Sequence, residues 1–295
     1  MKVRARLIAA TAALALVAAV APSATGTSPN NEPVEVTSSP KGRDMAVQAA
    51  ERYSNLGRKT LAADLKVWRI GPDDYLIGEQ MPDSFKTTVT KGPDDSTDLW
   101  MSYNVGFDGT GIAAQPEIWA AAAAPSWAFL DSACFSRMGD STFGFLDSCY
   151  SLHKLINETN TKDFYKLEQY GTLGAGNVTK IYSGWLNGVK ASTGSSAMSW
   201  VDWAPRANVT GGCQNLTLRI EALGVGFTTP AFFCEQNTPT KYAAAGSFRM
   251  EWNCGCVYPF GQPYPNSREI DYLQSVSVDN GGSVMWTLSA GYNAR

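Results

Sequence analysis

The chain holds a single histidine, His153, which excludes multi-histidine zinc sites and leaves any imidazole chemistry resting on one residue. It lies in Ser151-Leu152-His153-Lys154, where a Ser-x-x-Lys spacing would set a hydroxyl beside an amine on one helical turn. The companion motifs Ser-Asp-Asn and Lys-Thr-Gly are absent, so a plain surface helix is the simpler reading. No Gly-x-Ser-x-Gly elbow occurs. Asp73-Asp74, Asp94-Asp95, Asp98 and Asp108 could offer oxygens to calcium, but none follows the twelve-residue loop spacing of an EF-hand. They read as solvated turns, and neither a metal nor a cofactor is expected.

Carboxylates are better candidates, because glycoside hydrolysis needs two acids about 5 to 9.5 Å apart beside a sugar. The segment Glu269-Ile270-Asp271-Tyr272-Leu273-Gln274 resembles the Glu-Ile-Asp-x-x-Glu strand of laminarinase-type retaining β-glucanases. That resemblance implies a secreted jelly roll with Glu269 as nucleophile and Asp271 as supporting acid. Gln274 stands where that family carries its acid/base, so the second acid would have to come from Glu251 or Glu221. Tryptophan offers a different function, since Trp185, Trp203 and Trp252 are candidate stacking surfaces for sugar rings. Trp200 and Trp203 are three apart, which on a regular strand puts them on opposite faces.

The elements that must position these groups are mostly strands. Val67 to Ile70 and Tyr75 to Ile77 flank Gly71-Pro72-Asp73-Asp74, and the same turn recurs as Gly92-Pro93-Asp94-Asp95 between Thr87–Thr90 and Leu99–Tyr103. Each reads as a hairpin. From 163 onward, runs near 163–170, 178–186, 196–203, 214–222, 225–235, 246–252, 269–278 and 284–292 are rich in aromatic and β-branched residues and are separated by turn formers. The fold class is therefore mainly β, an antiparallel sandwich or jelly roll with small N-terminal helical additions. Those additions are an amphipathic helix from Asp44 to about Leu56, a buried helical turn or two around Ala120–Ala124, and a short helix through Leu152–Leu155 in a turn-rich region from Phe135 to Thr159.

The ends and composition place this domain outside the cell. Lys2, Arg4 and Arg6 precede an uncharged apolar run from Leu7 to about Val20, the form of a signal peptide cleaved between Ala21 and Gly26. The expected organisation is a signal at 1–26, a disordered linker at 27–43, a helix-plus-hairpin region at 44–160 and a β-sandwich region at 161–295, with the last two open to forming one domain. Cys134, Cys149, Cys213, Cys234, Cys254 and Cys256 form an even set that reads as disulfides in an exported chain, with Cys134–Cys149 and Cys213–Cys234 ranked first for their short loops. A net charge of −3, more negative once the signal's basic residues leave, attracts neither nucleic acid nor an anionic membrane surface. The texture around Trp200–Cys234 and Arg268-Glu269 resembles that of uncharacterised secreted proteins of high-GC Gram-positive bacteria, and implies no activity. The sequence thus points to an extracellular binding or structural protein whose partner is a glycan or cell-wall component, with a secreted polysaccharide hydrolase as the alternative.

Overall fold

A computed structural model describes residues 32–56, 60–91, 97–109, 126–139, 144–156, 161–176, 180–209, 214–222, 225–233, 240–241, 245–253 and 267–294. The expected signal peptide, most of the expected linker, the helical turns expected around 120–124 and Cys213, Cys234, Cys254 and Cys256 lie outside them. Period-two alternation along each segment produces two antiparallel sheets face to face. The larger has the order β1 (Val34–Glu35), β2 (Lys66–Gly71), β3 (Asp74–Gly78), β6 (Ser126–Met138), β7 (Phe145–Ile156), β8 (Lys162–Gly174), β15 (Ser267–Asp279) and β10 (Ser199–Ala204). The smaller runs β13 (Thr240–Lys241), β14 (Phe248–Asn253), β9 (Ile181–Lys190), β16 (Val284–Ala294), β5 (Thr97–Phe107) and β4 (Lys86–Lys91). A separate hairpin of β11 (Gln214–Ala222) and β12 (Val225–Phe233) lies beside β10 and β15. The protein is a β-sandwich, and strands from both halves of the chain enter both sheets.

Alternate side chains meet between the sheets. Leu99, Met101, Tyr103 and Val105 on β5 and Trp286, Leu288, Ala290 and Tyr292 on β16 face Leu146, Leu152, Leu167, Ile270 and Val276 of the larger sheet. Each such burial is worth about 1.5–3 kcal/mol. Polar groups in this layer are paired across it: Tyr103 Oη lies 2.9 Å from Ser148 Oγ, and Gln169 Nε2 donates to the Ser289 carbonyl at 3.1 Å. Arg137, only 1% exposed, holds Asp74 bidentately and donates to the carbonyls of Thr88 and Trp100, tying the larger sheet to β4 and β5.

The helix α1 (Pro40–Asn55) starts four residues earlier than the spacing of apolar residues predicts. Ser39 caps it, its hydroxyl accepting from the Gly42 amide at 3.0 Å, and Pro40 fits the first turn because its missing donor would have been unpaired there. Met45, Ala46, Ala49 and Tyr53 then bury against Val67, Tyr75 and Ile77 on the outer face of the larger sheet. Beneath the helix, Cys134 and Cys149 sit opposite each other on β6 and β7 and form the expected disulfide. Arg52 closes the contact, donating from Nε to Asp147 Oδ2 at 2.8 Å and stacking 4.3 Å from the centre of the Phe145 ring.

Two expectations fail. Within the expected turn-rich region from Phe135 to Thr159, the described residues 135–138 and 145–156 are strand, and Leu152–Leu155 is not helical, because β6 and β7 pair along their length and β7 also pairs with β8. Ladder bonds on both sides outweigh a weak local helix preference. Ser151 and Lys154 consequently point to opposite faces, and Lys154 forms an ion pair with Asp163 at 3.1 Å. Among the described residues, no helix is long and apolar enough to cross a membrane.

The disulfide gives a direct prediction. Its partners are 15 residues apart, so replacing both by alanine is expected to cost about 3 kcal/mol by the chain-entropy account. Chemical denaturation of the double variant checks this. In the native protein Cys134 and Cys149 are 6% and 0% exposed, so reduction by a mild thiol should lag until α1 lifts away.

Candidate functional site

The outward face of the six-stranded sheet is polar, and its register builds one cleft. Glu251 on β14 pairs with Trp185 on β9, Trp185 with Gly291 on β16, and Gly291 with Trp100 on β5. With strands about 4.8 Å apart, the two tryptophans straddle Gly291 at roughly 10 Å between their backbones. One step along, Ser183, Asn293 and Asp98 form the neighbouring row. The inward alternates, Leu99, Met101, Leu186, Met250, Ala290 and Tyr292, are core residues, which fixes which side chains face out.

Gly291 makes the cleft possible. A Cβ there would stand 2.2 Å from Trp185 Cζ2 and 2.6 Å from Cε2, so the indole lies directly on the backbone of β16. The Arg249 guanidinium sits 5.4 Å from the indole centre, while its Nε donates to Glu251 Oε1 at 2.5 Å. Opposite, Asn293 Nδ2 donates to Asp98 Oδ1 at 2.7 Å. Tyr182, Ser183 and Gly184 complete an open cleft of about 260 Å³. Its ingredients are two aromatic residues, two carboxylates, one guanidinium and several neutral polar groups, which suits a small ring carrying hydroxyl or amine donors.

The floor can be tested alone. Gly291→Ala is expected to displace the indole while the β16 ladder persists, seen as a shift in tryptophan emission with far-ultraviolet dichroism unchanged. Retention of the native emission would show that the ring does not rest on this glycine.

The other sequence-derived candidates lie elsewhere. Glu269 and Asp271 face outward from β15 on the far sheet, Glu269 exposed and Asp271 half-buried. Gln274 is fully buried and faces the core, because β15 pairs with β8 without a register break. The first and last positions of the glucanase-like segment therefore point to opposite faces, and neither approaches Trp185. Trp252 is 8% exposed, a core residue with the Arg268 guanidinium 5.1 Å from its ring centre. Trp203 is half-buried with Arg206 at 4.7 Å. Trp200 and Trp203 share a face after all: the register shifts between Trp200 and Asp202, and this bulge brings the rings edge to face at 6.2 Å against the core.

Arg249 and Asn293 are cleft residues that sequence reasoning misses, and Asp98 is singled out there only as a turn carboxylate that could meet calcium; Trp100 stands beside the cleft on the same face. The alternation of Asp98, Trp100 and Ser102 with Leu99, Met101 and Tyr103 marks them as outward, but only pairing with β16 joins them to Trp185. Among the described residues no group of three or more His, Cys, Asp or Glu is placed to hold a metal ion.

No protein-family model matches the chain, and comparison with curated proteins gives no match. Among solved structures, one described as "Pore forming protein" aligns with 9% identity over 70% of this chain and 86% of its own, at a TM-score of 0.33.

Proposed function

We propose that the protein is a secreted glycan-binding β-sandwich whose site is the Trp185 cleft on the outer face of the six-stranded sheet. The observation that carries this reading is the outward indole seated on Gly291 between the Arg249–Glu251 and Asn293–Asp98 pairs. A sugar ring offers an apolar C–H face to an indole and hydroxyls at its rim, and the cleft supplies a partner for each. The Cys134–Cys149 disulfide supports an oxidising compartment, in keeping with the signal-like N-terminus.

Co-sedimentation of the oxidised mature protein with insoluble polysaccharides and cell-wall preparations tests the reading. Saturable binding that is lost in Trp185→Ala supports it. Binding that survives that change places the site elsewhere. Assaying the same tubes for released sugar separates binding from hydrolysis: release that disappears in Asp98→Asn or Glu251→Gln would make the cleft a catalytic one.

A further inference from the structure

The cleft is unequal in charge. Two carboxylates, Asp98 and Glu251, face one guanidinium, and Arg249 is already committed to Glu251 and to the Trp185 ring. Asp98 is paired with a neutral amide, Asn293, and forms no ion pair among the described residues. A carboxylate paired only with a neutral amide, beside an aromatic ring, is the chemistry that recognises an ammonium group by charge-assisted hydrogen bonding.

We infer that the Trp185 cleft prefers a glycan bearing a free amino group, with the sugar ring over Trp185 and its ammonium donating to Asp98. This rests on the glycan-binding reading of the same cleft and adds the ligand's charge to it. A neutral sugar leaves the Asp98 carboxylate without a cationic partner, and an acidic one places like charges together.

Three β-1,4-linked oligosaccharides that differ at C2 isolate the amine: glucosamine, N-acetylglucosamine and glucose oligomers of equal length, titrated calorimetrically at slightly acid pH. The glucosamine oligomer should bind at least about tenfold more tightly than either of the others, as a charged rather than neutral hydrogen bond implies. That preference should shrink to threefold or less in Asp98→Asn and should fade as pH rises and the ligand amine loses its proton. Equal binding of all three, or a preference for the acetylated or glucose oligomer, overturns the amine inference while the glycan reading stands. No binding by any of the three, together with no pull-down by the polysaccharide panel, overturns both. Spermidine, an amine without a ring, is the control; affinity equal to that of the glucosamine oligomer would overturn the sugar part of the assignment.

Discussion

Replacing Arg52 by methionine is expected to lower stability by about 3–5 kcal/mol, the cost of leaving a buried carboxylate without its partner. Asp147 is fully buried between α1 and the larger sheet, where Arg52 meets both its oxygens and Ser136 donates to it. Burial is the leading influence on its carboxyl and pushes its proton affinity above the ordinary range, while Arg52 and Ser136 pull it down. A carboxyl raised on folding is protonated more readily in the folded than in the unfolded chain. Its stabilising contribution is therefore complete at pH below the unfolded value, near 4, and is lost as pH rises through the folded value. Removing Arg52 removes the main force that holds the folded value down, so the deficit should be largest near neutrality and should shrink toward pH 4. Urea melts at pH 7.5 and 4.5 give the comparison, and Arg52→Met with Asp147→Leu should recover most of the loss, since an apolar pair replaces a stranded charge. A deficit below 1 kcal/mol, or an equal one at both pH values, would show that the pair does not hold α1 in place.

The second large effect is on binding. Trp185→Ala should weaken glycan affinity by roughly thirtyfold or more, the scale on which a dominant aromatic contact contributes about 2 kcal/mol. Stability should change little, because the indole is half-exposed and lies outside the core. Trp185→Tyr, which keeps a ring but shortens it, should recover part of the affinity. Unaltered binding by the alanine variant would remove the indole from the site.

Local pattern made much of this legible. The strands from Lys162 onward follow from runs of aromatic and β-branched residues, and the hairpin at Pro72-Asp73 follows from its turn. The sequence also marks Cys134 and Cys149 as partners. What local pattern cannot supply is register. β6 and β7 look irregular because Ser, Cys and Asp interrupt their apolar residues, yet α1 covers part of their outward face, so small and polar residues fit there. The bulge in β10 reverses one tryptophan relative to the other without any glycine or proline to announce it. The cleft was legible only in part. Trp185 stands out as a residue type, whereas Asp98, Gly291 and Asn293 acquire meaning from β16 lying between β9 and β5, a neighbourhood joined across nearly two hundred residues of chain.

The order of strands has a consequence for how molecules of this protein meet each other. One sheet begins at β1, two residues long, and the other at β13, also two residues long. At the opposite margins stand β10, six residues broken by a bulge and followed by Pro205, and β4, six residues with Lys86 and Lys91 at its ends. Among the described residues, a second copy seeking to extend either of these two sheets finds no long, flat, uncharged row of free amides and carbonyls at its margins. Margins this short or interrupted are poor templates for adding a strand from another molecule, which shields the long inner strands from zipping into fibres.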